Sequence, residues 1–94
     1  MNIQFTTQIF KEGRTYVAHT RELDLSSCGA TETKAVENLR VAVRLFLEEA
    51  ETMGTLDQIL EEAGYTNRRS RLEGPRFVNI QQLTMPLPPE HAKA

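Results

Sequence analysis

Residues 31–53, TETKAVENLRVAVRLFLEEAETM, carry the clearest structural signal in this chain. At about 100° per residue, one broad stripe of this segment collects the apolar side chains Ala35, Val36, Leu39, Ala42, Val43, Phe46, Leu47, Ala50 and Met53. Charged side chains lie opposite the stripe, so the pattern predicts a long helix that covers a sheet. Thr31 is the expected N-cap, with Thr33 as the alternative, and Gly54 is expected to end the helix.

Two apolar residues of this helix, Val41 and Leu45, do not fit the stripe. They are one turn apart on the side that faces away from the core, where an aliphatic pair commonly marks an interface. A symmetric dimer would cover the pair from both sides and is the favoured interpretation. The alternative is cover within one chain by Leu56, Ile59 or the segment around Leu87.

The sequence before the helix is typical of an antiparallel sheet. Apolar Ile3, Phe5 and Ile9 alternate with polar residues, which predicts a strand with one buried face. Gly13 suits a tight hairpin turn after it. Two further strands are predicted at Thr15–Thr20 and Leu23–Cys28.

After Gly54 the sequence predicts a short second helix with its apolar face at Leu56, Ile59, Leu60 and Ala63. Thr55 and Gln58 have the spacing of a capping box, and Gly64 is a natural C-terminal cap. Residues 65–75 are expected to be a loop and residues 77–83 a last strand. The predicted fold is α+β: a three-stranded antiparallel sheet plus a further strand, with a long helix on one face and a short second helix (β-β-β-α-α-β). One domain is expected at residues 1–85, followed by a proline-rich, disordered tail at 86–94.

Composition limits the classes of function. The chain has 94 residues and a formal net charge of −2, which argues against nucleic-acid binding driven by bulk charge. Its lone Cys28 excludes an internal disulfide and a cysteine-built zinc site, so a cytoplasmic protein is expected. No segment is long and apolar enough to predict a membrane span.

Candidate catalytic groups are few. Glu22, Asp24 and Glu32 follow His19 and are candidate ligands for a divalent metal in phosphodiester hydrolysis, although solvated turn residues are the commoner explanation. His19 is expected to be half-exposed, without an acid partner at a suitable spacing. Cys28 is expected to be a buried structural thiol. No nucleotide-binding or nucleophile motif occurs, so no catalytic residue, metal or cofactor is predicted.

Charge is unevenly distributed along the second half of the chain. Between residues 48 and 62 there is no basic residue among the acids Glu48, Glu49, Glu51, Asp57, Glu61 and Glu62. Such an acidic ridge suits a basic protein partner. The arginines that follow are Arg68, Arg69, Arg71 and Arg76, and they are candidates for phosphate contacts. A merely solvated surface is the plain alternative for both groups.

Residues 16–31, YVAHTRELDLSSCGAT, combine a Tyr-Val-Ala strand, a Glu-Leu-Asp turn and a Gly-Ala-Thr helix start. In this order the motifs resemble the HicB family of antitoxins. The likeness covers residues 3–50 and extends more loosely over Leu56 to Gly64. Within the helix it rests on Ala35, Asn38, Leu39, Ala42, Leu45, Leu47, Glu48 and Glu49. Arg21 and Cys28 depart from the family pattern, as does Lys34, which removes a capping box with Thr31.

The resemblance implies a truncated ribonuclease H-like fold without nuclease carboxylates. It implies a non-enzymatic antitoxin of a type II toxin-antitoxin system that binds a small basic ribonuclease toxin, HicA-like, and covers its active histidine. We therefore expect the acidic ridge to contact the toxin and Val41 with Leu45 to support a dimer or tetramer. Many family members also bind operator DNA through a separate C-terminal domain, which is not recognisable here. The alternatives are a nucleic-acid-binding regulator that uses the arginine loop, an oligomeric domain without a toxin partner and, more weakly, a nuclease that uses Glu22 and Asp24.

Overall fold

Within residues 1–91, which it describes, the computed structural model has two three-stranded sheets and two helices. In chain order the elements are β1 (Asn2–Ile3), β2 (Thr7–Glu12), β3 (Thr15–Thr20), β4 (Leu25–Gly29), α1 (Glu32–Met53), α2 (Leu56–Glu62), β5 (Thr66–Arg68) and β6 (Arg71–Glu73). One sheet has the order β2-β3-β4 and the other β1-β6-β5. The predicted α+β class is confirmed.

The sheet β2-β3-β4 is an antiparallel meander, and its first turn is the predicted hairpin. Strands β2 and β3 pair from Thr7↔Thr20 to Glu12↔Thr15, which leaves Gly13 and Arg14 as a two-residue turn. Gly13 has a φ of 61°, a conformation that glycine adopts without steric cost.

The two faces of this sheet have different surroundings. Ala18 of β3 is fully buried and packs in the core with Ala35, Leu39 and Val43 of α1. The opposite face carries a row of paired residues from the three strands: Phe10, Val17 and Cys28. The prediction of a buried thiol at Cys28 is wrong, since the residue is exposed on the face that α1 does not cover.

Helix α1 begins and ends as its sequence predicts. The Oγ1 atom of Thr31 accepts a hydrogen bond from the Lys34 backbone N–H at 3.0 Å, and Gly54 ends the helix in the left-handed conformation. Met53 does not join the buried stripe, because it is 66% exposed. The 22 residues of α1 span about 33 Å, whereas strands of five or six residues span about 17–20 Å, so the last turns extend past the sheet.

The second sheet is the part of the fold that the sequence did not predict. Residues expected to be loop form β5 and β6, which are joined by Arg69 and Ser70, both with positive φ. These two residues lack the Asn-Gly signature by which such turns are recognised. Strand β6 then pairs in parallel with β1, with Asn2 opposite Arg71.

One strand prediction is wrong in part, and another is wrong entirely. The strand predicted from Ile3 to Ile9 is interrupted at residues 4–6, where the chain leaves one sheet and enters the other. Residues 77–83 are not a strand, because none of the described strands pairs with them. The parallel partner of β1 is β6 instead. The predicted tail at 86–94 contains a turn with a hydrogen bond from His91 N–H to the Pro88 carbonyl, and its residues 92–94 lie outside the described part.

The capping box predicted at the start of α2 does not form. Thr55 donates its backbone N–H (2.9 Å) and its hydroxyl (3.4 Å) to the Ala50 carbonyl, so it belongs to the end of α1. The Gln58 side chain instead donates to Glu62 one turn later. At its other end α2 stops as expected, with Gly64 at a positive φ and its N–H bonded to the Glu61 carbonyl.

Helix α1 starts so close to the end of β4 that Gly29 has no room for a side chain. A Cβ atom at this position would lie 2.7 Å from the Ala35 backbone nitrogen and 2.9 Å from the Lys34 carbonyl carbon. Backbone atoms cannot rotate away, so the helix or the strand would have to shift.

We therefore expect Gly29→Ala to lower the free energy of unfolding by about 1–3 kcal/mol, the usual cost of overpacking. Urea unfolding followed by circular dichroism measures this loss. Ser26→Ala, at an exposed position of the same strand, is the control and should change stability by less than about 0.5 kcal/mol. Equal stability of the two variants would contradict the close approach.

Candidate protein-binding surface

The six acids singled out in the sequence all lie on the surface of the two helices. We call them the acidic surface: Glu48, Glu49, Glu51, Asp57, Glu61 and Glu62, every one exposed. The first three occupy the last turns of α1, and the others lie on α2. Because α2 follows α1 after only Gly54 and Thr55, the six residues belong to one end of the molecule.

The charge of the acidic surface is not compensated locally. Neither helix has a basic residue in its last turn, and among residues 1–91 none of the six carboxylates forms a salt bridge. Five of them lie toward helix C-termini, where the helix dipole is itself negative. This placement slightly disfavours the folded chain and creates a negative potential that suits a cationic partner.

Val41 and Leu45 are exposed at 44% and 55%, as their place in the sequence predicts. We call these two residues the aliphatic patch. Leu45 precedes Glu48 and Glu49 by three and four residues, a spacing that makes side chains neighbours on a helix. The patch therefore borders the acidic surface, and together they form an apolar area with a charged rim.

The arginines of the predicted loop lie on the β5–β6 hairpin and just after it. Arg68, Arg69 and Arg71 are exposed around an open depression of about 890 Å³. Arg71 is partly neutralised, because its Nη2 atom lies 2.9 Å from Oε2 of Glu73. Arg76 lies on a different depression, of about 670 Å³, which it shares with Arg68. The structure thus brings three of the four arginines around one depression.

The carboxylates considered for a metal do not converge. Glu22 accepts hydrogen bonds from the Thr6 backbone N–H, at 2.9 and 3.1 Å, and from the Thr20 hydroxyl at 3.2 Å. Asp24 instead lies 3.0 Å from Nε2 of His19. Glu32 lies in the first turn of α1. Among residues 1–91, no group of three or more potential ligands is placed to hold a metal ion.

His19 is half-exposed as predicted, but the expectation that it lacks an acid partner is wrong. Asp24 has a φ of 52°, and this turn conformation brings its carboxylate back to the imidazole five residues earlier. Spacing along an ideal strand does not show this contact, because the chain turns between the two residues. The pair lies on the surface, with the Asp24 side chain 94% exposed.

Tyr65 is an important residue that the sequence did not indicate, because it fell in a predicted loop. It is buried, and its hydroxyl donates to the Gln4 carbonyl at 2.8 Å across 61 residues of sequence. Burial, and secondarily the nearby Glu22 carboxylate, raises the pKa of Tyr65 to about 12. Tyr65 lies between α2 and β5 in the chain. Its bond to Gln4 therefore connects α2 and the β5–β6 hairpin to the N-terminal segment.

Comparison with family models, curated proteins and solved structures finds no match to this chain. Neither of the helices in residues 1–91 combines the length and apolar character needed to cross a bilayer.

Tyr65→Phe should make stability less dependent on pH above about pH 10. Unfolded tyrosine ionises near its ordinary pKa of 10.0, whereas folded Tyr65 ionises at about 12. The raised pKa therefore contributes stability in full below pH 10, and the contribution is lost as the pH rises through 12. Urea unfolding at a series of pH values from about 9 to 12 measures the difference between wild type and variant. Parallel losses in the two proteins would contradict a raised pKa at Tyr65.

Proposed function

We propose that this protein is a non-enzymatic, HicB-like antitoxin that binds and neutralises a small basic HicA-like ribonuclease toxin by protein–protein contact. The observation that carries the proposal is the acidic surface: exposed carboxylates without salt bridges at one end of the described chain, bordered by the aliphatic patch. An apolar area with a charged rim is the usual composition of a binding surface. A basic toxin supplies the charge that this rim lacks.

The topology supports the proposal independently of charge. The resemblance implies three antiparallel strands, a helix and a further strand. The structure has the meander β2-β3-β4, then α1, and after α2 the strand β6 beside β1. The further strand is thus at residues 71–73 rather than 77–83.

Each part of the proposed complex has a distinct physical role. The acidic surface would steer a cationic toxin and align it, since complementary charge mainly raises the association rate. Contact with the antitoxin would then cover the active histidine of the toxin. The proposal includes a cytoplasmic location, in keeping with the unpaired thiol of Cys28.

Glu48→Gln with Glu49→Gln should weaken binding to a HicA-like toxin about 5- to 10-fold, since each exposed charge pair contributes up to about 1 kcal/mol. The measurement is surface plasmon resonance with a toxin whose active histidine is replaced, so that both proteins can be purified. The loss should be mainly in the association rate and should shrink at high salt.

The matched control is Glu12→Gln with Glu90→Gln, which removes the same charge from exposed positions outside the acidic surface. It should bind as the wild type does. Equal weakening by both variants would assign the effect to net charge rather than to this surface. A failure to copurify with, and to suppress the growth arrest of, each of several co-expressed HicA-like toxins would reject the antitoxin role.

A second candidate is nucleic-acid binding by the β5–β6 hairpin. The observation in its favour is the exposure of Arg68, Arg69 and Arg71 around one depression. Guanidinium groups recognise phosphate well, but such binding is strongly weakened by salt.

If this candidate is correct, fluorescence anisotropy should detect binding to labelled RNA or DNA at ~0.15 M salt. Arg68→Gln with Arg69→Gln should then reduce the slope of log K against log salt by about 1.5, because two phosphate contacts are lost. Arg14→Gln with Arg44→Gln, at exposed positions away from the hairpin, is the control. No binding by the wild type would reject this candidate.

We also propose that the aliphatic patch joins copies of the chain into a dimer or tetramer. A helix-to-helix contact would cover Val41 and Leu45 of both copies at once. Light scattering of the double variant Val41→Glu, Leu45→Glu tests this contact, and an unchanged mass would reject it.

A further inference from the structure

The C-terminal segment carries apolar side chains that no described residue covers. We call residues 77–89 the arm; it contains no charged residue. Of the twelve large hydrophobic side chains that are exposed in residues 1–91, six lie on the arm: Phe77, Val78, Ile80, Leu83, Met85 and Leu87. Val78, Leu83 and Met85 are each at least 80% exposed. A segment this apolar is expected to be buried against a partner.

The arm extends away from the body of the same chain. The radius of gyration is 17.0 Å, compared with about 12 Å expected for a compact chain of this length. The longest dimension is 52 Å and the others are 28 and 25 Å. Among residues 1–91, the identified contact between the arm and the body is at the start of the arm, where the Phe77 ring lies 5.8 Å from the Arg21 guanidinium. We therefore expect another molecule to cover the apolar side chains of the arm beyond Phe77.

The body has an apolar groove without an occupant. It lies between α1 and residues 1–7 and reaches Leu56 and Leu60 of α2 and Leu72 of β6. It consists of three adjoining depressions of about 240, 280 and 190 Å³. Ile3 lines all three depressions, Phe5 lines two, and Leu47 lines two. The charged side chains that line the groove all lie on α1 and are exposed: Arg40, Arg44 and Glu48. We call this feature the N-terminal groove.

We propose that the arm of one copy occupies the N-terminal groove of a second copy, and the reverse, in a reciprocal arm exchange. The arm carries no charge, and the charged side chains of the groove are exposed on α1, so they can stay hydrated while the apolar side chains of the arm contact Ile3, Phe5 and Leu47. Thirteen extended residues span about 43 Å, which is enough to cross to a neighbouring body. Pro86, Pro88 and Pro89 restrict the free arm, so less conformational entropy is lost when it binds.

A second copy is favoured over a toxin because nothing on the arm would recognise a basic partner: it has no acid with which to pair. The exchange is independent of the antitoxin proposal. It also uses other side chains of α1 than the aliphatic patch, because Val36, Leu39, Val43 and Leu47 line the groove and neither Val41 nor Leu45 does. The two contacts can therefore be tested separately.

The first test is the mass of the full-length chain in light scattering. Ile80→Glu with Leu83→Glu should halve the mass relative to wild type, because a charge on the arm must be desolvated in the groove. Asn79→Glu with Gln82→Glu is the control, because it adds the same charge at polar positions of the arm. This variant should keep the wild-type mass over a dilution series. A monomeric wild type, or an unchanged mass for Ile80→Glu with Leu83→Glu, would overturn the exchange. Val41→Glu with Leu45→Glu leaves this contact intact, so a monomer of that variant would also overturn the exchange.

The second test locates the arm. Benzoylphenylalanine placed at Leu83 is irradiated in a mixture of unlabelled and nitrogen-15-labelled protein, so that cross-links between copies are recognised by mixed isotope masses. The exchange predicts cross-links between copies that map to peptides containing Ile3, Phe5 or Leu47. Cross-links confined to one chain, or cross-links between copies that map to β4 only, would overturn it. This readout does not depend on the folding of the charged variants.

Discussion

The fold depends on the close contact between the end of β4 and the first turn of α1. At Gly29 there is no room for even a methyl group, because the backbone of Lys34 and Ala35 occupies that space. Ala18 and Ala35, both fully buried, have side chains small enough for the helix to lie directly on the strands. This contact sets the direction of a helix of 22 residues, and the direction of the helix determines where its exposed residues lie.

A second set of contacts joins the two sheets. Residues 4–6 cross between them, and both ends of this crossing are held by side chains from distant parts of the chain. The Tyr65 hydroxyl bonds to the Gln4 carbonyl, and the Glu22 carboxylate accepts the Thr6 N–H with both oxygens. Glu22 therefore has a structural explanation in this fold. Tyr65 follows α2 and precedes β5, so its bond connects this part of the chain to the N-terminal segment.

Helix α1 carries different chemistry on different sides. One side is buried against the sheet through Leu39 and Val43, and the opposite side exposes Val41 and Leu45. Its C-terminal turns extend past the sheet, and that part of the helix carries acids without basic partners. In the proposed function, the extension would present charge to a partner, while the rest of the helix packs in the core.

The elements that can be predicted from the sequence are those whose stabilising contacts are local. The period of the apolar residues specifies α1, its caps at Thr31 and Gly54 lie within a turn of the helix, and the hairpin at Gly13 joins strands that are adjacent in the chain. The exposure of Val41 and Leu45 follows from the same period.

Features that depend on contacts between distant residues could not be predicted from local patterns. Strand β6 exists because Arg71 pairs with Asn2, and the bond between Tyr65 and Gln4 spans 61 residues. Cys28 is exposed because α1 covers the other face of its sheet, and residues 77–83 remain outside the sheets because β6 is the parallel partner of β1. A local pattern states which side chains are apolar, but the pairing of remote segments decides which of them are covered.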